Sequence, residues 1–270
     1  MSETQTKPSQ TKLSNGLQTF RGWVQLLAAW VSLLVPLYFA VAALGSRFGL
    51  WSWQFGFGVL TRDIGMKLLL VLLVVAIISL ILALFLKPRK GLFISVIALA
   101  IPLAGMGHAA SVVKKAKALP FIHDITTDTQ DVPEFSETLI ALREAQGGTN
   151  ALTYIGKKVG DTETLVSVAQ VKAYPDIRPL IREENPAVLF DKALAATKAM
   201  GWKVVSEDKS AGRIEATDTT FWFGFKDDVV IRIRAAEAGG SVLDMRSISR
   251  VGGSDLGANA ERIRRFALRL

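Results

Sequence analysis

Three long apolar runs occupy most of the first 115 residues, and a chain that carries them has few ways to fold in water. Residues 23–44 hold no acid, lysine or arginine across 22 positions and lie between Arg21 and Arg47. Residues 68–86 hold none across 19 positions, between Lys67 and Lys87, and residues 91–113 none across 23, closed by Lys114 and Lys115. A helix rising about 1.5 Å per residue needs roughly 20 apolar residues to cross a hydrocarbon core of about 30 Å. Each run is apolar on every face, unlike a helix lying on a soluble core. The first is also too long, and followed by too many others, for a cleaved signal peptide. The reading is a tail over residues 1–22, a three-helix transmembrane region over 23–113 and a water-exposed domain over 114–270.

Composition narrows the chemistry. The chain has no cysteine, which removes disulfides, thiol nucleophiles and thiolate metal sites, and only two histidines, His108 and His123. A formal charge of +8 is in the range of nucleic-acid binders, but its distribution is not theirs. Eleven of the 32 Lys/Arg and only two of the 24 Asp/Glu fall within residues 1–115, so that part stands at +9 and the remainder at −1. Bases at the ends of apolar runs belong to membrane topology and not to a groove that tracks phosphates. The predicted partner is therefore the lipid bilayer, with no nucleic acid.

An odd number of spans puts the two termini on opposite sides. Lys7, Lys12, Arg21, Lys87, Arg89 and Lys90 give six positive charges on one side; Arg47, Arg62, Lys67, Lys114, Lys115 and Lys117 give six on the other. Three charges crowded into the 87–90 turn resist translocation and favour a cytoplasmic N-terminus. Residues 45–65, with Phe48, Trp51, Trp53, Phe55 and Phe57, read as a loop suited to an interfacial belt on the far side. The C-terminal domain is then periplasmic, on the outer surface of a cell inner membrane. Pro36 and Pro102 fall inside spans, where neighbouring helices can satisfy the freed backbone groups.

Beyond the membrane, residues 118–185 are broken by prolines, with a short helix predicted near residues 133–144 and no clear element over 145–185. Asn185 before Pro186 marks a helix start, and Val188, Leu189, Ala193, Ala196 and Met200 form its stripe up to Gly201. Strand-like runs follow at residues 203–207, 213–218, 220–225, 229–235 and 241–250, and a helix over 256–270 starts at Ser254 and Asp255. Folding the last two strands about residues 236–240 sets Ile233 opposite Leu243, Ile231 opposite Met245 and Arg232 opposite Asp244. The expected architecture is an α+β domain, an antiparallel sheet of about five strands packed by two helices, behind a three-helix membrane anchor.

HDITTD at residues 123–128, FWFGFKDDVVIRIR at 221–234 and DMRSISRVGGSDLGANAERI at 244–263 together resemble domain-of-unknown-function family 1499. The resemblance covers roughly residues 118–270. It implies a unit often carried behind a hydrophobic N-terminal region, with no established activity. The thylakoid-lumen association of plastid relatives implies a periplasmic setting here.

No nucleophile elbow, phosphate-binding loop or metalloprotease helix occurs, so neither a catalytic residue, a cofactor nor a metal is assigned. The densest polar constellation is Arg246, Ser247, Ser249, Arg250, Ser254, Asp255 and Asn259 around the Gly252 and Gly253 turn. Arginines beside a helix start favour an anion, such as a phospholipid headgroup or a carboxylate on an envelope partner. The plainer reading is that Asp255 caps the helix while Arg246 or Arg250 pairs with Asp255, Asp228 or Asp244. His123, Asp124 and Asp228 are secondary candidates for an envelope hydrolase or transferase, which would need them gathered in one cleft. A scaffold subunit of a membrane complex is a third possibility, and Trp222 a candidate membrane or partner contact.

Overall fold

The computed structural model describes the backbone from Pro8 to Leu270 and side chains from Asn15 onward; Lys7 and Glu3 lie outside the described residues, and Lys12 is described only as backbone. It divides between Val112 and Val113 into two compact units. In the first, helix α1 (Pro8–Arg47) begins within the stretch expected to be a tail. A π-helical segment (Gln54–Ile64) runs directly into α2 (Gly65–Phe85), and α3 (Leu92–Ala118) follows a short turn. Three helical stretches, Asn15–Arg47, Gln54–Phe85 and Leu92–Ala118, are long and apolar enough to cross a membrane.

Small residues let these helices approach. Ala28, Ala76 and Ala98 form one buried contact, Val35, Leu69 and Leu72 another, while Leu33, Leu37 and Phe93 point outward. A Cβ on Gly105 would stand 2.9 Å from Leu69. Ser79 and Ser95 share a 2.7 Å hydrogen bond across α2 and α3. The aromatic stretch expected as a loop is mostly helical, because Trp51 folds back onto the end of α1 and its Nε1 donates to the Ala42 carbonyl at 3.1 Å. A Cβ on Gly45 would lie 2.0 Å from the Trp51 ring, so only glycine admits it there. At the other end of the bundle, Arg21 is buried although it was read as a flanking base. Its Nη1 donates to the carbonyls of Leu86 (3.1 Å) and Pro88 (2.6 Å), and Gln25 Nε2 donates to Lys90 O at 2.8 Å.

The second unit is a six-stranded antiparallel sheet. Its order is β1 (Asp124–Thr126), β6 (Ser241–Ser249), β5 (Lys226–Ala235), β4 (Arg213–Thr219) and β3 (Lys203–Asp208), with β2 (Leu180–Arg182) also pairing β6. The β5–β6 hairpin has the register read from the alternation: Ile233 opposite Leu243, Ile231 opposite Met245, Arg232 opposite Asp244. Residues 220–225 are not a strand. Thr219 pairs with Lys226, so these six residues form the β4–β5 loop, closed by Thr220 N donating to Phe225 O at 2.8 Å with Gly224 at φ +66°. A positive φ breaks an extended path whatever the aromatic content.

One face of the sheet is apolar. Ile125, Ile214, Ala216, Val229, Ile231, Ile233, Leu243 and Met245 are buried under α6 (Pro186–Ala199), α7 (Ala258–Ala267) and Trp202. Each large aliphatic side chain removed from water contributes roughly 1.5–3 kcal/mol. Asn185 caps α6 by accepting from Val188 N at 3.0 Å, and Gly201, at φ +76°, ends it. Phe190 and Thr197 are buried in that helix while Val188 of the expected stripe is exposed. The opposite face is covered as well, by α4 (Glu137–Ala145), whose cap is Ser136. There Phe135, Leu139, Val230 and Ile248 form a small second core, surrounded by charges. Helix α5 (Val166–Ala173) fills part of the stretch that gave no clear element.

Candidate functional site

Strand alternation decides where the polar residues go. Asp244, Arg246, Ile248 and Arg250 share the α4 side of the sheet, whereas Ser247 and Ser249 face α7, so the constellation read from the sequence is split between two faces. On the α4 side Arg246 is 3 % exposed and grips Asp124 through two bonds, Nε to Oδ1 at 3.0 Å and Nη2 to Oδ2 at 2.8 Å. The rings of Phe135 and Tyr154 lie 5.2 and 5.9 Å from its guanidinium carbon. Asp228, fully buried, is held between two arginines. Arg143 Nη1 donates to Oδ2 at 2.8 Å, while Arg250 donates through Nη2 to Oδ1 at 2.7 Å and through Nε to Oδ2 at 2.9 Å. Thr217 Oγ1 adds a fourth donor at 2.8 Å. Such bidentate, charge-assisted pairs have little left to offer a ligand.

On the α7 side, Asn259 Nδ2 donates to Ser249 Oγ and to His123 O, both at 3.0 Å. Arg262 reaches Asp227 at 2.5 Å and Asp218 at 2.9 Å. Helix α7 begins at Ala258 with Gly257, at φ +80°, as its N-cap; Asp255 still accepts from the N–H of Gly257 and of Asn259 in the first turn, each at 2.8 Å, whereas Ser254 Oγ accepts only from Leu256 N at 3.3 Å, before the helix. Burial raises the Asp255 carboxyl above its ordinary range, and the N–H donors work against that shift.

His123, Asp124 and Asp228 are not gathered. Asp124 and Asp228 both stand opposite Ile248, one on each side of β6, which separates their backbones by about 10 Å. His123 turns away into a different environment. Its Nδ1 faces Gly253 O at 3.2 Å and its Nε2 faces Lys157 Nζ at 3.1 Å. An ammonium can only donate, so Nε2 accepts and Nδ1 carries the proton donated to the carbonyl. Burial, then the Lys157 charge, lowers the His123 pKa; burial likewise lowers that of Lys157. The pair borders a cavity of about 250 Å³ whose wall also includes Phe121, Ile122, Asp124, Lys158, Val166 and Gly253.

Several of these groups escaped the sequence reading. Lys157 and Arg143 carry no motif, and Arg262, within the 244–263 stretch, was not singled out; Arg143 lies four residues after Leu139 on the buried side of α4, the one signal that could have pointed to it. Gln170 on α5 acts as a strand neighbour, accepting from Thr126 N at 3.0 Å and donating to Thr126 O at 2.7 Å. It also accepts from the Tyr154 hydroxyl at 2.9 Å, and burial pushes that phenol up. A second, more open cleft of about 530 Å³ has Arg246, Phe135, Ile140 and Tyr154 in its wall. Among the described residues no group of three or more His, Asp or Glu is arranged to hold a metal ion.

The family described as "Protein of unknown function (DUF1499)" matches residues 124–270, from the first residue of β1 to Leu270. No curated protein matches the chain.

Proposed function

The chain belongs to the DUF1499 family, and from that membership together with its three candidate spans we propose a multi-pass protein of the cell inner membrane whose periplasmic domain binds a ligand or partner. In this reading residues 1–22 begin in the cytoplasm, residues 23–113 cross the membrane and residues 114–270 form the binding domain, serving envelope or membrane-complex maintenance. The observation that carries it is the His123–Lys157 pair at its cavity. Among the described residues Lys157 is hydrogen-bonded to a neutral imidazole and a carbonyl and forms no direct ion pair; Asp124 also lines the opening but is gripped by Arg246, which leaves the Lys157 charge available to an anion there. Arg246 and Arg250, the arginines expected to bind, instead hold the domain together through Asp124 and Asp228. The ligand is an anionic group, presented by a phospholipid headgroup or by an acidic envelope partner.

Binding supports this reading better than hydrolysis does. Asp228 is fixed by two guanidiniums and Asp124 by a third, leaving neither as a free base near His123. The full chain in neutral detergent, titrated with a short-chain phosphatidylglycerol, is expected to bind in a salt-sensitive manner. Binding should be lost in Lys157→Met and kept in Lys172→Met, a change outside the cavity wall. Equal binding by wild type and Lys157→Met would refute the site, and a reporter fused after Leu270 that is active only in the cytosol would refute the orientation.

A further inference from the structure

The turn between α2 and α3 gathers cations and no acid. Lys87, Arg89 and Lys90 are all exposed there, and the chain carries no Asp or Glu from residue 64 to residue 123. Asp63, the one acid among the described side chains of the first unit, sits beyond the start of α2, whose 21 residues separate it from the turn by about 30 Å. Two aromatic side chains flank the cations. Phe85, which ends α2, is 80 % exposed, and Phe93, in the first turn of α3, is 77 % exposed, the highest values among the large apolar side chains described in this unit.

The backbone of this turn is fixed from the α1 side. Gln18 Nε2 donates to Lys87 O at 3.4 Å, while Arg21 takes the carbonyls of Leu86 and Pro88 and Gln25 takes that of Lys90. A Cβ on Gly91, at φ +77°, would stand 2.3 Å from the Gln25 side chain, so α1 lies directly against the turn. Arg89 Nε donates back to Leu84 O at 2.9 Å, satisfying a carbonyl of the last turn of α2 and leaving the two Nη groups for another acceptor. A loop held on one side that exposes its charge on the other is preorganised, because an anion meeting those cations need not order the backbone first.

We propose that this turn binds an anionic phospholipid, its phosphate held between the Arg89 guanidinium and the Lys87 and Lys90 ammoniums and its acyl chains laid along Phe85 and Phe93. A guanidinium offers a phosphate a planar fork and the lysines add point charges. Basic clusters at the ends of membrane helices select anionic headgroups in this way, and the two rings give the chains an apolar surface beside the charge. The inference rests on the spans and not on the His123 cavity. A lipid retained at the turn through purification is in place before a short-chain lipid is titrated, so either site can fail without the other.

Native mass spectrometry reads the site on the full chain, released from neutral-detergent micelles holding equal amounts of dioleoyl phosphatidylglycerol and dioleoyl phosphatidylcholine. The expected result is one phosphatidylglycerol kept per chain under activation that strips phosphatidylcholine. Each base removed should weaken retention about five-fold, so Lys87→Gln/Arg89→Gln/Lys90→Gln should lower it roughly a hundred-fold. Lys157→Met and the charge-matched Lys114→Gln/Lys115→Gln/Lys117→Gln should keep the lipid. A readout on the unaltered chain guards against changed insertion of the variants: acetylation of Lys87 and Lys90 should slow when phosphatidylglycerol is added, and that of Lys114 and Lys115 should not. Equal retention of the two lipids, or full retention after the changes at 87, 89 and 90, would overturn the proposal. So would Lys87 and Lys90 that phosphatidylglycerol leaves unprotected.

Discussion

Replacing Asp228 by Asn tests whether the arginines of the central strands are structural. The carboxylate sits at zero exposure between Arg143 and Arg250 and accepts from both guanidiniums and from Thr217. An amide keeps one acceptor oxygen and turns a donor toward the side where Arg143 Nη1 and Arg250 Nε now donate to Oδ2. Two charge-assisted bonds worth about 1.5–3 kcal/mol each are lost. Two buried cations are also left without their counter-charge, the situation in which breaking a buried pair costs about 3–5 kcal/mol. Taking about 4 kcal/mol and a shift of about 2–4 °C per kcal/mol for a domain of this size, the Tm should fall by roughly 8–16 °C. Near-UV circular dichroism of the full chain in detergent would follow it. Arg250→Gln added to Asp228→Asn should cost much less than the sum of the two single changes, because it removes one stranded cation. A Tm for Asp228→Asn within about 2 °C of wild type would refute this reading and return Arg250 to the candidates for ligand binding.

Three other outcomes follow from the same geometry. Burial and the Lys157 charge hold the folded-state pKa of His123 below its ordinary 6.5, so the unfolded chain takes up the proton first on acidification. The domain should therefore keep this contribution above about pH 6.5 and lose stability as pH falls through the folded value, with His123→Gln flattening a plot of Tm against pH; identical slopes would contradict it. In Lys157→Met the His123 pKa, followed by NMR, should rise only part of the way toward 6.5, since burial is the larger cause; no rise would mean that the 3.1 Å contact does not form. Gly212→Ala should destabilise by more than about 2 kcal/mol in urea denaturation, because a left-handed alanine is strained and its Cβ, at φ +64°, would stand 2.1 Å from Ile233 O; a loss below about 1 kcal/mol would argue against the β3–β4 turn described.

Where one face of a strand is apolar and the other polar, the sequence was enough. The β5–β6 register followed from Ile231, Ile233, Leu243 and Met245, because a slip of one residue would have turned all of them to the wrong face. The same alternation cannot tell a polar residue facing water from one facing a covered polar layer, and that is why anion binding stood beside ion pairing for Arg246 and Arg250, of which the Arg250–Asp228 pair is the one that forms. Helix α4, which covers them, was legible, but not the side of the sheet it takes. Residues 220–225 misled because β-favouring aromatics surround Gly224, whose positive φ is invisible in an alternating pattern. Helix α5 has no side-chain cap, and β2 spans three residues, too short for any period to register. The His123 cavity depends on Lys157, brought across 34 positions that include β1 and α4, and no local signal marks such a meeting.

Arg21 sets an order of assembly. The carbonyls it holds belong to Leu86 and Pro88, which emerge from the ribosome 65 and 67 residues later. Until then its guanidinium has to stay hydrated, which keeps the first turns of α1 near the water boundary during insertion. Only when the second helix and the turn that follows it have come back to the first does the latch close, so a nascent chain stopped before Pro88 should be membrane-inserted yet unlocked, and easier prey for quality-control proteases than the finished bundle.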